Sequence, residues 1–218
     1  SEIVVRMYAA AEMLIEDKVS GSAMSHAQHG RWDAAASAFV RETELDPSDS
    51  LTWLRAASVQ LYAGDEKAYQ HSCREVIRQF PAPTDAFTAE RIAKVCCLAP
   101  DAVLDFGIVE QMMAKPKPLT AADDWFAEWF ALAKGLVEYR AGRPEEALEW
   151  LKRSKPENLD IRGESSLSAR HAAAFAAMAL AEHKLGHIDA AQVHHRRQGG
   201  VARDAGAVAH QALADGTG

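Results

Sequence analysis

The stretches GRWDAAASAFVRETELDP (residues 30–47) and GDEKAYQHSCREVIRQFP (residues 64–81) decide the fold of this chain. Each opens on glycine and closes on proline, and one follows the other at 34 residues, Gly30 to Gly64 and Pro47 to Pro81. Glycine enters the left-handed conformation that ends a helix, at a cost most residues cannot avoid. Proline lacks an N–H and disfavours helix in the residue before it. Two punctuating residues sharing that period mark an array of helix–turn–helix units. Such arrays act through an extended surface, seldom through a catalytic pocket.

Placing Gly30 at the turn between paired helices makes residues 16–49 the first unit, with Ala35 and Phe39 a small-then-aromatic pair on its second helix. The next unit, 50–83, has Trp53 at a helix start, small Ala56-Ala57 where helices must approach, and its turn at Gly64. The third, 84–117, is degenerate, because the position of its turn glycine is Leu98. Ala99-Pro100-Asp101 still breaks the helix there, which predicts helices near 84–98 and 101–114 before Lys115-Pro116-Lys117-Pro118 interrupts the chain. The frame returns in a fourth unit, 128–161, with Gly135 at a close-approach position, Gly142 at the turn, and Ala147 and Leu151 beyond it. Pro144-Glu145-Glu146 starts that second helix with proline and carboxylates where they suit a helix N-terminus. A partial fifth unit, 172–198, turns at Gly186.

Val4, Met7, Ala11 and Leu14 predict an opening helix over 2–18. Beyond His194 the pattern decays, and 199–218 reads as a flexible or weakly helical tail. No stretch alternates like a half-buried strand. The expected fold is all-α, a right-handed superhelix of four to five helical pairs across residues 1–198.

The composition narrows the function. A hydrophobic content of 48% with 25% charged residues suits a folded chain rather than a disordered one. A net charge of −7 argues against nucleic acid as the main partner, since phosphate binding needs concentrated Lys and Arg. No apolar run approaches the ~18 residues of a membrane span, and no basic-then-apolar leader opens the chain. Three cysteines, Cys73, Cys96 and Cys97, form neither a disulfide framework nor a zinc spacing, so a reducing cytoplasm is expected. A start at Ser1 without an initiator Met suits a processed chain or an excised domain, of which the excised domain is the expectation.

Several features imitate chemistry. Asp105-Phe106-Gly107 spells the kinase magnesium triplet, but no Gly-rich loop, His-Arg-Asp or Ala-Pro-Glu accompanies it. His26 with His29, and His183 with His187, could share helix faces, yet no Cys or carboxylate joins them at ligand spacing. Ser165, Ser166 and Ser168 lack a nucleophile elbow, and Cys96-Cys97 reads as buried packing. His194-His195-Arg196-Arg197 reads as a solvated patch in a mobile tail, and Trp32, Trp53 and Trp150 as packing aromatics. No enzyme, metal or cofactor is expected.

Residues from about 22 to 194 resemble the tetratricopeptide (TPR) region that follows the catalytic domain in some bacterial eukaryotic-like serine/threonine kinases, and that follows WD-repeat segments in related proteins. The likeness rests on Gly64-Asp65-Glu66-Lys67-Ala68-Tyr69 with Cys73 and Phe80, and on Ala89-Glu90-Arg91-Ile92-Ala93-Lys94 running into Cys97-Leu98. Tyr139-Arg140-Ala141-Gly142-Arg143 through Leu148-Glu149-Trp150-Leu151 completes it. Glu42 departs from the usual alanine and His195 from the usual large apolar residue. The resemblance implies a non-catalytic interaction module inside a larger regulatory protein.

In TPR arrays the first helix of each pair lines a concave groove. Its candidates here are Arg55, Ser58 and Tyr62 in the second unit, then Trp129, Leu132, Leu136, Tyr139 and Arg140 in the fourth. Ala176, Leu180 and His183 follow in the fifth. Gly21 and Met24 stand where the carboxylate clamp of chaperone-binding TPR domains wants polar groups, so that specificity is not expected. A groove of this kind suits a peptide or helix with hydrophobic anchors. Two alternatives remain: a small-molecule or lipid-binding domain, marked by an enclosed apolar cavity, and a structural self-association module, marked by a groove filled by the tail or a second copy.

Overall fold

A computed structural model of the chain describes residues 22–100, 102–114, 124–154 and 165–197, except for the side chains of 124, 125 and 165–169. The expected opening helix, the Lys-Pro segment, the tail and the side chains of Ser165, Ser166 and Ser168 lie outside that description. The elements pair in sequence: α1 (Ser22–Gln28) with α2 (Trp32–Leu45), α3 (Ser50–Tyr62) with α4 (Glu66–Gln79), and α5 (Ala86–Cys97) with α6 (Gly107–Ala114). Then α7 (Asp124–Arg140) pairs with α8 (Pro144–Arg153), and α9 (Ser165–Lys184) is followed by α10 over 188–197. No strand occurs among the described residues. The chain is an all-α, TPR-like α–α superhelix.

The repeat frame is visible in the turns. Gly30, Gly64, Gly142 and Gly186 have φ of 69°, 82°, 84° and 80°. Each closes its helix by the same two bonds. At the fourth pair the Gly142 N–H donates to the Tyr139 carbonyl at 3.1 Å and the Arg143 N–H to the Glu138 carbonyl at 2.9 Å. This double bond pattern satisfies carbonyls that the end of a helix would otherwise leave open. The helices begin by equally local means. Asp49, Asp65 and Asp85 accept from the backbone N–H groups of Leu51, Ala68 and Thr88 at 2.9, 3.0 and 2.8 Å.

The first helices form the spine, α3 packing on α5, α5 on α7 and α7 on α9, with the second helices alongside. One apolar cluster runs through this spine, including Leu61, Ile92, Val95, Leu132, Val137 and Leu151. A smaller one joins α1, α2 and α3 through Met24, Phe39, Ala56 and Val59. Gly135 is the expected close approach: a Cβ there would lie 2.6 Å from Leu151 Cγ. Ala147 beside it is fully buried.

The third pair departs from the reading of the sequence. Helix α6 starts at Gly107, later than expected, because Asp105 turns the chain first by accepting the Gly107 N–H at 3.0 Å. The kinase-like triplet is therefore a turn, and its Phe106 packs on the core. Leu98, standing where glycine would, keeps right-handed φ and ψ of −61° and −37°. Side chains replace the missing turn. Tyr69 Oη donates to the Val95 carbonyl at 2.7 Å and accepts the Ala99 N–H at 3.1 Å. Arg140 donates to the carbonyls of Cys97 and Leu98 at 2.9 and 3.3 Å. Residues from α4 and α7 thus close α5, so its end is set by tertiary contact.

Candidate functional site

Helix α7 carries five of the eleven expected groove residues, and burial divides them. Leu132 is 0% and Leu136 5% exposed, and both belong to the spine's core. Ser58 on α3, at 1%, is equally inaccessible. These three are corrected to core residues: their helices present that side to the neighbouring helix instead of to a partner. Arg140 lines a hollow beside Tyr139, with its guanidinium engaged on the end of α5.

Trp129 belongs to a charged seam across three consecutive first helices. Lys94 Nζ lies 4.7 Å and Arg170 Cζ 5.3 Å from the centre of its ring. Lys94 pairs with Glu90 at 2.7 Å one turn earlier on α5, and Arg170 of α9 pairs with Glu128 of α7. Lys94, Glu90 and Arg170 are all buried, so their charges are tolerable only because they are paired. Burial, with Arg170 alongside, pulls the neighbouring His171 imidazole down to about 4. The seam fastens α5, α7 and α9 together.

Tyr139, at the end of α7, stands in an open groove of about 640 Å³ with Leu180 and His183 of α9. Lys184 Nζ and Arg140 Cζ approach its ring at 5.4 and 5.7 Å. A second hollow of about 270 Å³ adjoins on the other side, sharing Tyr139 and Lys184 and reaching Phe106 and Arg140. The structure thus gathers Tyr139, Ala176, Leu180 and His183 into one place. Arg55 and Tyr62 on α3 line neither hollow. Arg55 is half-buried, and Tyr62 packs on Trp32 with ring centres 4.3 Å apart.

The opposite wall of the groove was missed. Ile188, Gln192, His195 and Arg196 line it from α10. The patch at 194–197, read as a mobile tail, is helical. Its signal was present in the spacing: 188, 192, 195 and 196 share one face of a helix. His195, the departure from the expected apolar residue, sits on that face, exposed on the rim.

The other chemistry-like groups have structural partners. Arg31 Nε lies 3.0 Å from His26 Nδ1, and Glu182 pairs with His187 at 2.8 Å. Among the described residues no group of three or more His, Cys, Asp or Glu is placed to hold a metal, and no helix is long and apolar enough to cross a membrane. Burial pushes the Cys97 thiol up to about 12. A hydrogen bond with Cys73, together with burial, raises that of Cys96. Both thiols are therefore protonated at neutral pH.

No protein-family model matches the chain, and no curated protein matches it. A solved structure that is similar, titled "Crystal structure of MamA", is 14% identical, covers 85% of this chain and 97% of its own, and superposes with a TM-score of 0.41. A likeness that weak carries no argument. The fold stands on the helix pairs and their turns.

Proposed function

We propose that the chain is a non-catalytic protein-interaction module that receives a peptide or helix of a partner in the groove beside Tyr139. The observation that supports this most is the groove itself: apolar side chains from two helices line it, and its rim residues His183, Lys184 and His195 are exposed. Ile188 remains 48% exposed on one wall, an apolar side chain still available for burial. That openness favours a macromolecular segment over the small-molecule or lipid reading, which an enclosed cavity would have supported. The sequence resemblance to TPR regions of bacterial kinases and WD-repeat proteins favours a place within a larger regulatory protein in the cytoplasm.

The test is a pull-down with the full chain, followed by quantitative binding of the captured partner. Ile188→Ser combined with Leu180→Ser should weaken binding at least tenfold, while exposed Arg74→Ser on α4 leaves it unchanged. Equal binding by both variants would exclude the groove.

A further inference from the structure

We propose that the segment received in this groove is an acidic amphipathic helix of a partner protein. This rests on the interaction reading above and adds the partner's chemistry to it.

The first observation is a local reversal of charge. Asp and Glu outnumber Lys and Arg by 31 to 24 in the chain. Yet among the described residues no carboxylate lines the groove or the hollow beside it. The rim carries His183, Lys184, His195 and Arg196, and Arg140 stands in the adjoining hollow. Neither Lys184 nor Arg196 is paired with a carboxylate among the described residues, whereas Lys94, Arg143 and Lys152 all are. Lys184 rests instead on the face of Tyr139. The nearest acid on α9, Glu182, is turned to His187.

Lys184, in the last turn of α9, also meets the negative end of that helix's dipole, which favours a positive charge there. Charge by itself would therefore not make a site. The second observation is independent of it. Ala176, Ala179 and Leu180 of α9 face Ile188 and Ala191 of α10, so an apolar strip runs between the two helices inside the cationic rim. Apolar floor and cationic border together match a ligand with an apolar stripe and acidic flanks.

The array supplies the shape of that ligand. Each earlier pair is covered by the first helix of the next, α5 lying on α3, α7 on α5 and α9 on α7. An acidic partner helix laid along the strip would bury its apolar stripe between α9 and α10, as the first helices of the array bury theirs against their neighbours.

The experiment is a selection of displayed peptides on the full chain, with affinities of the recovered peptides measured on variants. The proposal expects recovered peptides with net negative charge and apolar residues at helical spacing. Their binding should fall at least tenfold on Lys184→Glu with Arg196→Glu, and fall again as salt is raised. Neutral or basic peptides, or binding indifferent to the charge reversal but lost on Ile188→Ser with Leu180→Ser, would overturn the acidic partner and leave the groove reading standing. Binding indifferent to both pairs of substitutions would overturn the groove reading as well. A dimer in sedimentation that the charge reversal dissolves would make a second copy the occupant and also overturn the proposal.

Discussion

Arg140 donates from Nε to the carbonyl oxygen of Cys97 at 2.9 Å, so the end of one first helix is held by a side chain of the next. Elsewhere in the array a glycine in the left-handed conformation does this work. Arg140→Ala should therefore destabilise the fold itself. Two partly buried carbonyls lose a charged donor, which costs about 1–3 kcal/mol. Arg140→Lys should recover only part of that, because an ammonium cannot reproduce the guanidinium fork. Urea unfolding measures both, and an Arg140→Ala midpoint equal to wild type would remove the cap from the account.

Gly135 and Gly142 sit on either side of the same helix pair and should fail for different reasons. An alanine at 135 drives its Cβ against Leu151 and should cost about 1–3 kcal/mol through overpacking. An alanine at 142 meets nothing within 4 Å, but φ of 84° strains any L side chain by about 1–2 kcal/mol. Trimming Leu151 to Val should rescue Gly135→Ala and leave Gly142→Ala unrescued. A double-mutant cycle that shows equal coupling for both would contradict the geometry.

Acid should weaken the fold in two steps. Buried His171 has its imidazole at about 4, against an ordinary 6.5. The unfolded chain therefore takes up a proton first as pH falls. That contribution is complete above about pH 6.5 and is lost towards pH 4, at about 1.4 kcal/mol per pKa unit. Burial pushes the Glu138 carboxyl up, but hydrogen bonds from Lys134 and Arg143 outweigh it and hold the carboxyl below the usual 4.5. Its contribution is present above 4.5 and is lost at still lower pH. His171→Gln should flatten the stability profile between pH 6.5 and 4 without changing the steeper fall beneath. Parallel profiles for variant and wild type would place the effect elsewhere.

The three thiols should be inert in the folded chain. Cys73, Cys96 and Cys97 are all buried, and Cys97 lies at about 12. Iodoacetamide at pH 8 should leave all of them unmodified until denaturant is added. Rapid labelling of Cys96 in native buffer would show that the hollow beside Tyr139 opens to its floor.

The turns were legible because each depends on one residue's backbone freedom: Gly30, Gly64, Gly142 and Gly186 all take the left-handed conformation at the expected turns. Gly135 was legible for the same local reason, a missing side chain at a crossing. The third pair was not, because α5 ends through Tyr69 and Arg140, which are 29 and 42 residues away from Leu98 in the chain. Sequence spacing carries no sign of such a contact. Nor could helix phase alone rank the groove residues. Leu136 and Tyr139 lie one turn apart on α7, and only the position of α8 and α9 buries the first and opens the second. The wall from α10 was overlooked because polar His195 and Arg196 resembled a solvated end, although their spacing from Ile188 was helical.

Amide hydrogen exchange with and without a bound partner tests the central claim most directly. Exchange should slow around Tyr139, along 176–184 and along 188–196, where the groove buries backbone and side chains together. The amides of α1–α4 should be unchanged. Protection confined to α1–α4, with those three segments exchanging as in the unbound chain, would contradict the account.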